Sequence, residues 1–171
     1  MTRLRQVEPL LAAVDCGTST VKAAIFDCRG RRVAMAARPC PPDPGPQGAV
    51  EQDPARLEDA ARCALREATR ACGARVRSVV ALAVTGQRAT VFFLDRRGAP
   101  LGPGLNWQDL RGAPAVAQFA ARFGAGRFAE LTGLPCHAVF TIGKLLDLAG
   151  REPGRFRHIR HLALVNDYLL S

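Results

Sequence analysis

Asp15-Cys16-Gly17-Thr18-Ser19-Thr20-Val21-Lys22 sets a carboxylate, one glycine and three consecutive hydroxyls between two apolar, partly β-branched runs, residues 10–14 and 20–26. Runs of that kind read as strands, and turn-forming residues between them read as the tip of a β-hairpin. Asp27-Cys28-Arg29-Gly30 follows at once, with glycine where a tight turn asks for positive φ, and residues 31–37 resume an extended alternation. Three adjacent antiparallel strands are therefore expected at the start of the chain.

Between residues 39 and 48 five prolines are interspersed with glycine. That composition excludes a central strand or helix and predicts a surface crossing. Asp53-Pro54 then supplies an N-cap and a proline for the first helical turn. Leu57, Ala60, Ala61, Ala64, Leu65, Ala68 and Cys72 recur at helical spacing before Gly73. The opposite face carries Glu58, Asp59, Arg62, Arg66, Glu67 and Arg70, the mixed charge of a solvated helix surface. Residues 78–84, Ser78 followed by an unbroken run of valine, alanine and leucine, are as expected of a strand covered on both faces. Residues 90–94 read as a further strand. The strand ending in Phe26-Asp27-Cys28-Arg29-Gly30 has a short echo in Leu94-Asp95-Arg96-Arg97-Gly98. Beyond Trp107, helices are expected over 114–123, 127–131 and 140–148, then a strand over 159–165. The whole is an α/β arrangement with a mixed sheet.

Composition narrows the function classes. The chain has 171 residues, 48% of them hydrophobic, with 24 Lys+Arg against 15 Asp+Glu and a formal charge of +9. Such usage excludes wholesale disorder. No run of apolar residues is long enough to span a membrane, and Asp15 cuts the first one short, so a cytoplasmic protein without a membrane partner is expected. Cys16, Cys28, Cys40, Cys63, Cys72 and Cys136 form no CxxC pair, which argues against zinc; they read as reduced, space-filling residues. His137, His158 and His161 show no metal-ligand grouping. Lys22 and Lys144 are the only lysines, the arginines are dispersed, and one Trp and one Tyr offer little to stack on, so nucleic acid is not an expected partner.

The chemistry concentrates at the first hairpin. Backbone N–H groups and Ser/Thr hydroxyls at its tip can converge on phosphate oxygens, Asp15 can hold Mg²⁺ through water, and Lys22 can offset phosphate charge. The same eight residues also make a plain tight turn with polar decoration, and alone they support both readings. They are not a P-loop, which needs G-x-x-x-x-G-K-[ST] leading into a helix.

Asp15 to Lys22 resembles the first phosphate-binding hairpin of the actin-like ATPases, and TVKAAIFDCRG at 20–30 narrows the resemblance to the FGGY family of carbohydrate kinases. Further segments agree in order and spacing: Val50-Glu51-Gln52-Asp53-Pro54, Val84-Thr85-Gly86-Gln87-Arg88, Asn106-Trp107-Gln108-Asp109-Leu110-Arg111, Leu131-Thr132-Gly133-Leu134-Pro135 and Asn166-Asp167-Tyr168-Leu169. The resemblance implies an actin-like, ribonuclease H-like α/β domain: a tail over 1–9, then the N-terminal part of the first lobe over 10–171, the nucleotide lobe being absent. It implies ATP- and Mg²⁺-dependent transfer of a phosphoryl group to a sugar or polyol hydroxyl. By the same resemblance Asp15 acts near the metal, and Gly17, Thr18, Ser19, Thr20 and Lys22 face the phosphates. Gln87, Arg88, Ala89, Trp107 and Asp109 lie at the sugar end.

Trp107, Asp109, Arg88 and Gln87 are also the residue types that suit a polyol, a flat aromatic for its C–H face and polar groups for its hydroxyls. Glycerol kinases resemble this stretch closely but carry Glu at the Ala89 position and Tyr at the Val139 position, which disfavours glycerol. Xylulose and gluconate kinases usually have Met-His or similar at Arg88-Ala89. Asp147 stands where many relatives have Trp. Lys144 and Asp167 read as a helix-surface charge and a helix cap. The family's general base lies beyond this stretch, so the chain alone is expected to be inactive and to need the remainder of the kinase, or a second copy, as partner. The rival expectation is a non-catalytic module of the same fold that binds a sugar, a phosphate or a partner protein.

Overall fold

A computed structural model describes residues 8–171, so most of the N-terminal tail lies outside the described residues. The chain forms two compact units: one from the stretch up to Pro41, Ala55–Gly86 and Leu170, the other from Pro42–Pro54, Gln87–Leu169 and Ser171.

In the first unit, β1 (Leu10–Cys16), β2 (Thr20–Asp27) and β3 (Arg32–Pro39) are the three expected antiparallel strands. Leu10, Ala12, Val14 and Cys16 are buried on one side of β1, and Val21, Ala23, Ile25, Ala34 and Ala36 continue that side across β2 and β3. The period of two in the sequence thus becomes one apolar face. Helix α1 (Pro54–Cys72) buries Leu57, Ala60, Ala64, Ala68 and Cys72, and its last buried residue joins Leu10, Ala12, Ile25 and Ala34 in one cluster. The small side chains on both surfaces suit close packing. Arg38 on β3 pairs with Glu67 on α1 at 2.6 Å. In the sequence, β4 (Asp43–Pro44) and β5 (Val50–Gln52) precede α1, and a 3-10 segment, Gly73–Ser78, follows it.

β6 (Val79–Gly86) pairs with β1 in parallel, giving the order β3-β2-β1-β6, a mixed sheet in an α/β setting. Here an expectation is corrected. The run over 78–84 is not covered on both faces: β6 is an edge strand, with Val80 68% and Leu82 48% exposed. Its composition suits the interior of a parallel sheet, but among the described residues no strand joins its outer edge.

The second unit holds the remaining strands in a separate antiparallel sheet. β7 (Val91–Leu94), β8 (Gly104–Leu105) and β9 (His161–Leu164) join β4 and β5 in the order β4-β5-β8-β7-β9. Every residue of β7 is buried, and Val91 and Phe93 cluster with Leu105 and Leu148. Helices α2 (Ala113–Phe123), α3 (Ala125–Thr132), α4 (Thr141–Arg151), α5 (Pro153–His158) and, up to Leu169, α6 (Val165–Leu170) complete it. Phe92 stacks on Tyr168 at 4.5 Å. The Asp167 carboxylate accepts the Leu164 N–H at 3.0 Å and so caps α6, as expected. Among the described residues no helix is long and apolar enough to cross a membrane.

The echoed turns have the same backbone. Asp27 Oδ1 accepts the N–H groups of Arg29 and Arg31, and Asp95 Oδ1 those of Arg97 and Ala99, while Gly30 and Gly98 have φ of 76° and 79°. These bonds hold both carboxyls below the usual carboxylate range. The cysteines divide: Cys16, Cys40 and Cys72 are buried, whereas Cys28 is exposed and fills no space.

One close approach carries a prediction. A Cβ on Gly112, which precedes α2, would overlap the Gly143 carbonyl in α4; one on Gly143 would sit 2.6 Å from the Ala138 Cα. Both obstacles are backbone, which cannot swing aside. Gly112→Ala should cost about 3 kcal/mol, the upper part of the overpacking range. Gly150→Ala, in open space on α4, should be neutral or gain up to about 1 kcal/mol. Urea unfolding of the two variants checks this, and equal midpoints would refute the close packing.

Candidate functional site

The first hairpin is closed by the Gly17 N–H donating to the Thr20 carbonyl at 3.1 Å, and a Cβ on Gly17 would press on that oxygen at the same distance. The Ser19 carbonyl accepts the Cys40 N–H at 2.9 Å, which ties the tip to the end of β3. Beneath it Cys16 is fully buried; that burial, with the nearby Asp15 and Cys40, pushes its thiol up to about 12. Cys16 is thus an inert support rather than a nucleophile. Of the tip residues, Ser19 is exposed and Thr18 and Thr20 are half-buried.

Asp15 and Lys22 are register partners on β1 and β2, and Asp15 is also the register partner of Thr85 on β6. Partners in register project to the same side of a sheet. Asp15, Lys22 and Thr85 are exposed there, so a carboxylate, an ammonium and a hydroxyl share the surface at the hairpin's end. Among the described residues neither the Asp15 nor the Lys22 side chain has a hydrogen bond or an ion pair. The donor set fits a phosphate group with Mg²⁺: one carboxylate suffices for an ion that keeps its waters and takes phosphate oxygens as further ligands. Among the described residues no cluster of three His, Cys, Asp or Glu could hold a metal by protein ligands alone.

The second set of residues lies in the second unit. Ala89 has φ of 60°, a left-handed conformation that a non-glycine residue adopts only where its surroundings demand it. Thr90, fully buried, accepts the Trp107 N–H through Oγ1 at 3.1 Å and so joins the 87–90 turn to the 106–109 loop. Asn106 Nδ2 donates to Gln87 Oε1 at 3.0 Å, and Gln87 Nε2 donates to Gln52 Oε1 at 3.4 Å. Gln52 and Asn106 are fully buried, so a short amide chain underlies the turn. Arg88 is exposed, and Trp107 is 38% exposed.

Asp109 is 2% exposed, and its oxygens are already engaged. Arg111 reaches them through Nε at 3.0 and 3.1 Å and through Nη2 at 2.5 Å, and the Val50 N–H donates at 3.2 Å. Burial alone would raise this carboxyl, but the hydrogen bonds from Arg111 and the backbone outweigh it and hold it below the usual range. Arg111 also binds Glu51 at 2.8 Å; the two carboxylates overcome burial and raise its affinity for its proton. Asp109 therefore locks the Trp107 loop to β5.

Lys144 requires a correction. It is not a helix-surface charge but is 2% exposed, its Nζ donating to the carbonyls of Asp109, Ala138 and Val139 at 2.7, 2.8 and 3.1 Å. Burial lowers its pKa to about 8, with Asp109 and Asp147 pulling upward and Arg111 downward. Asp147, also buried, is bound by Arg151 Nε at 2.9 Å and Nη2 at 2.7 Å. Sequence reasoning passed over Gln52, Asn106, Arg111 and Lys144 as site residues. The available signal was positional: Lys144, Asp147 and Leu148 fall on one stripe of α4.

Residues 10–171 match the N-terminal domain of the FGGY family of carbohydrate kinases. Xylulose kinase of Streptomyces coelicolor is 36% identical over 163 residues, 94% of this chain and 33% of that protein. Glycerol kinase of Leptothrix cholodnii is 36% identical over 145 residues, 84% of this chain and 29% of that one. The crystal structure of xylulose kinase from Rhodospirillum rubrum superposes with a TM-score of 0.90 at 29% identity, covering 94% of this chain and 33% of that chain. The chain thus spans about a third of the length of these relatives. With the match running from the first strand to the last residue, and with an exposed Asp, Lys and hydroxyl set on the opening hairpin, the chain belongs to the FGGY family of carbohydrate kinases, as its N-terminal domain.

Proposed function

We propose that this chain supplies half of the phosphate site and half of the sugar site of an ATP- and Mg²⁺-dependent sugar or polyol kinase, and is inactive alone. The observation that carries the reading is the first hairpin, whose hydroxyl tip adjoins Asp15 and Lys22, register partners exposed on one face. Phosphoryl transfer needs positioning and charge neutralisation more than covalent chemistry. Gly17, Thr18, Ser19 and Thr20 orient the phosphate oxygens, Lys22 offsets their charge, and Asp15 holds the metal's water shell. When bound, Mg²⁺ neutralises charge that develops on the transferred group. Trp107, on the loop that Asp109 and Arg111 fix, and Arg88, Gln87 and Ala89, on the turn that Thr90 joins to it, face the sugar.

The acceptor is a sugar or polyol hydroxyl, with glycerol disfavoured because Ala89 and Val139 offer no polar contact. Xylulose is the first acceptor to test, since kinases named for it match 94% of the chain. A cytoplasmic setting goes with the reading, because ATP is a cytoplasmic cofactor. The remaining two thirds of a kinase would supply the general base and the adenosine site, neither of which any residue named here provides.

The test joins residues 10–171 to the remaining two thirds of the Streptomyces coelicolor xylulose kinase and follows sugar-dependent ADP release. The joined protein should turn over, Asp15→Asn should lower kcat by about 10²-fold or more, and the chain by itself should show none. Full activity of the Asp15→Asn form would remove Asp15 from the site. Turnover by the chain alone would show that it carries its own base. Saturable sugar binding by calorimetry without turnover is the expected behaviour of the chain alone.

A further inference from the structure

We infer that Lys144 is a positioning residue for the sugar-facing surface: its ammonium gathers three carbonyls, from Asp109, Ala138 and Val139, and so sets two loops relative to each other. The inference rests on the proposed function only in taking that surface to be the sugar end.

The geometry is that of a tripod. An ammonium has three donors and no acceptor, and the three carbonyl oxygens lie at 2.7, 2.8 and 3.1 Å. Among the described residues no carboxylate bonds the nitrogen, so its donors serve the backbone of loops rather than a salt bridge. One leg ends on Asp109, two residues beyond Trp107, and the others on the turn between α3 and α4. Gly143, beside Lys144, is pressed between Ala138 and Gly112, so helix, turn and loop meet in one place.

Several charged groups surround the ammonium. Asp109 and Arg111 come from the loop before α2, with Glu51 of β5 behind Arg111, and Asp147 with its partner Arg151 from α4. On the turn, His137 Nδ1 accepts the Val139 N–H at 3.1 Å. Burial lowers the pKa of Lys144 to about 8, above the ordinary histidine value of about 6.5 and below that of tyrosine, about 10. On losing its proton the amine keeps two donors and turns a lone pair toward one carbonyl, and one leg of the tripod opens.

Linkage separates this event from general unfolding. Between about pH 8 and the unfolded lysine's 10.5, the unfolded state binds more protons, so this group makes stability rise with pH. A loop that loosens over that window is therefore not loosening because the protein melts.

The chain contains one tryptophan and two lysines, so both ends of the proposal have clean probes. With ¹⁵N-labelled lysine, one Nζ resonance should titrate near pH 8, and Lys22→Arg, at an exposed position, assigns it by elimination. Trp107 emission should shift to the red, and its quenching by acrylamide rise, with the same midpoint. Lys144→Arg should hold Trp107 in its low-pH state up to pH 9.5, and Lys144→Met should place it in the high-pH state throughout. The proposal is overturned if Trp107 shows no transition between pH 7 and 9.5, if its midpoint differs from that of the lysine, or if the transition persists in Lys144→Met. Should Lys144→Met fail to fold, the wild-type comparison of the two midpoints decides alone. None of these readouts involves sugar: absent sugar binding with an intact Trp107 transition would sink the proposed function and leave the tripod standing.

Discussion

Replacing Arg111 with alanine is expected to destabilise the second unit by about 3–5 kcal/mol, the range found when one partner of a buried ion pair is removed. The Asp109 side chain is 3% exposed and that of Arg111 12%, so the carboxylate left behind would have almost no access to water. It would keep the N–H groups of Arg111 and Val50, at 3.1 and 3.2 Å, but lose every guanidinium bond. Glu51 is one-third exposed and would be resolvated at little cost. Arg111→Lys should recover only part of the loss, because a single ammonium cannot reproduce a two-pronged grip while also reaching Glu51.

The pH dependence has a definite sign. In the wild type the Asp109 carboxyl lies below its ordinary value, so its contribution is complete above about pH 4, the unfolded value, and is lost as pH falls through the folded one. Without the guanidinium, burial is opposed mainly by the two backbone N–H groups, so the carboxyl rises relative to the wild type and the variant should lose stability at a higher pH. Urea unfolding at pH 7 and pH 5 measures both effects. A loss below about 1 kcal/mol at pH 7 would show that the pair is not a principal tie of this unit.

The elements legible in the sequence are those whose cause is local. The first hairpin follows from a period-two pattern either side of turn residues, α1 from capping residues and a 3.6 period, and the two Asp-x-Arg-Gly turns from an Asx side chain with a glycine three residues on. The Asp15 to Lys22 face was legible for the same reason, because strand register alone puts the two side chains together. What was not legible depends on packing between distant residues. Arg111 meets Glu51 across 60 residues of chain. Lys144 reads as a surface charge until three carbonyls from other segments surround it. The two-residue strands β4 and β8 have too little pattern to detect and exist because β5 and β7 offer them edges. β6 is the reverse case: its composition describes a neighbour that the described residues do not contain.

That strand carries the other large expectation. Val79–Gly86 has no charged residue, no proline and, among the described residues, one unpaired edge, and native proteins protect such edges with lysine, proline or a bulge. Val80 and Leu82 are exposed on it, and Leu11 on the neighbouring β1 is 43% exposed. Two copies meeting edge to edge would pair both rows of backbone groups and cover part of Val80 and Leu82 in each copy. Burial of one such side chain contributes about 1.5–3 kcal/mol, so a few of them outweigh the repulsion of two chains of charge +9, which salt screens beyond about 8 Å at 0.15 M. The purified chain should therefore self-associate, and more strongly at higher salt, the opposite of what association through ion pairs would give. Val80→Lys with Leu82→Lys should weaken association by at least about 10²-fold, since each change counts once per copy and adds like charges along the seam. Sedimentation velocity across concentration and salt reads this directly, and Leu131→Lys, at a leucine 69% exposed in the second unit, is the control. If the double variant associates as the wild type does, or if the wild type stays monomeric at all salts, the bare edge is not the dominant sticky surface. Repulsion between copies would then outweigh the strand's apolar burial.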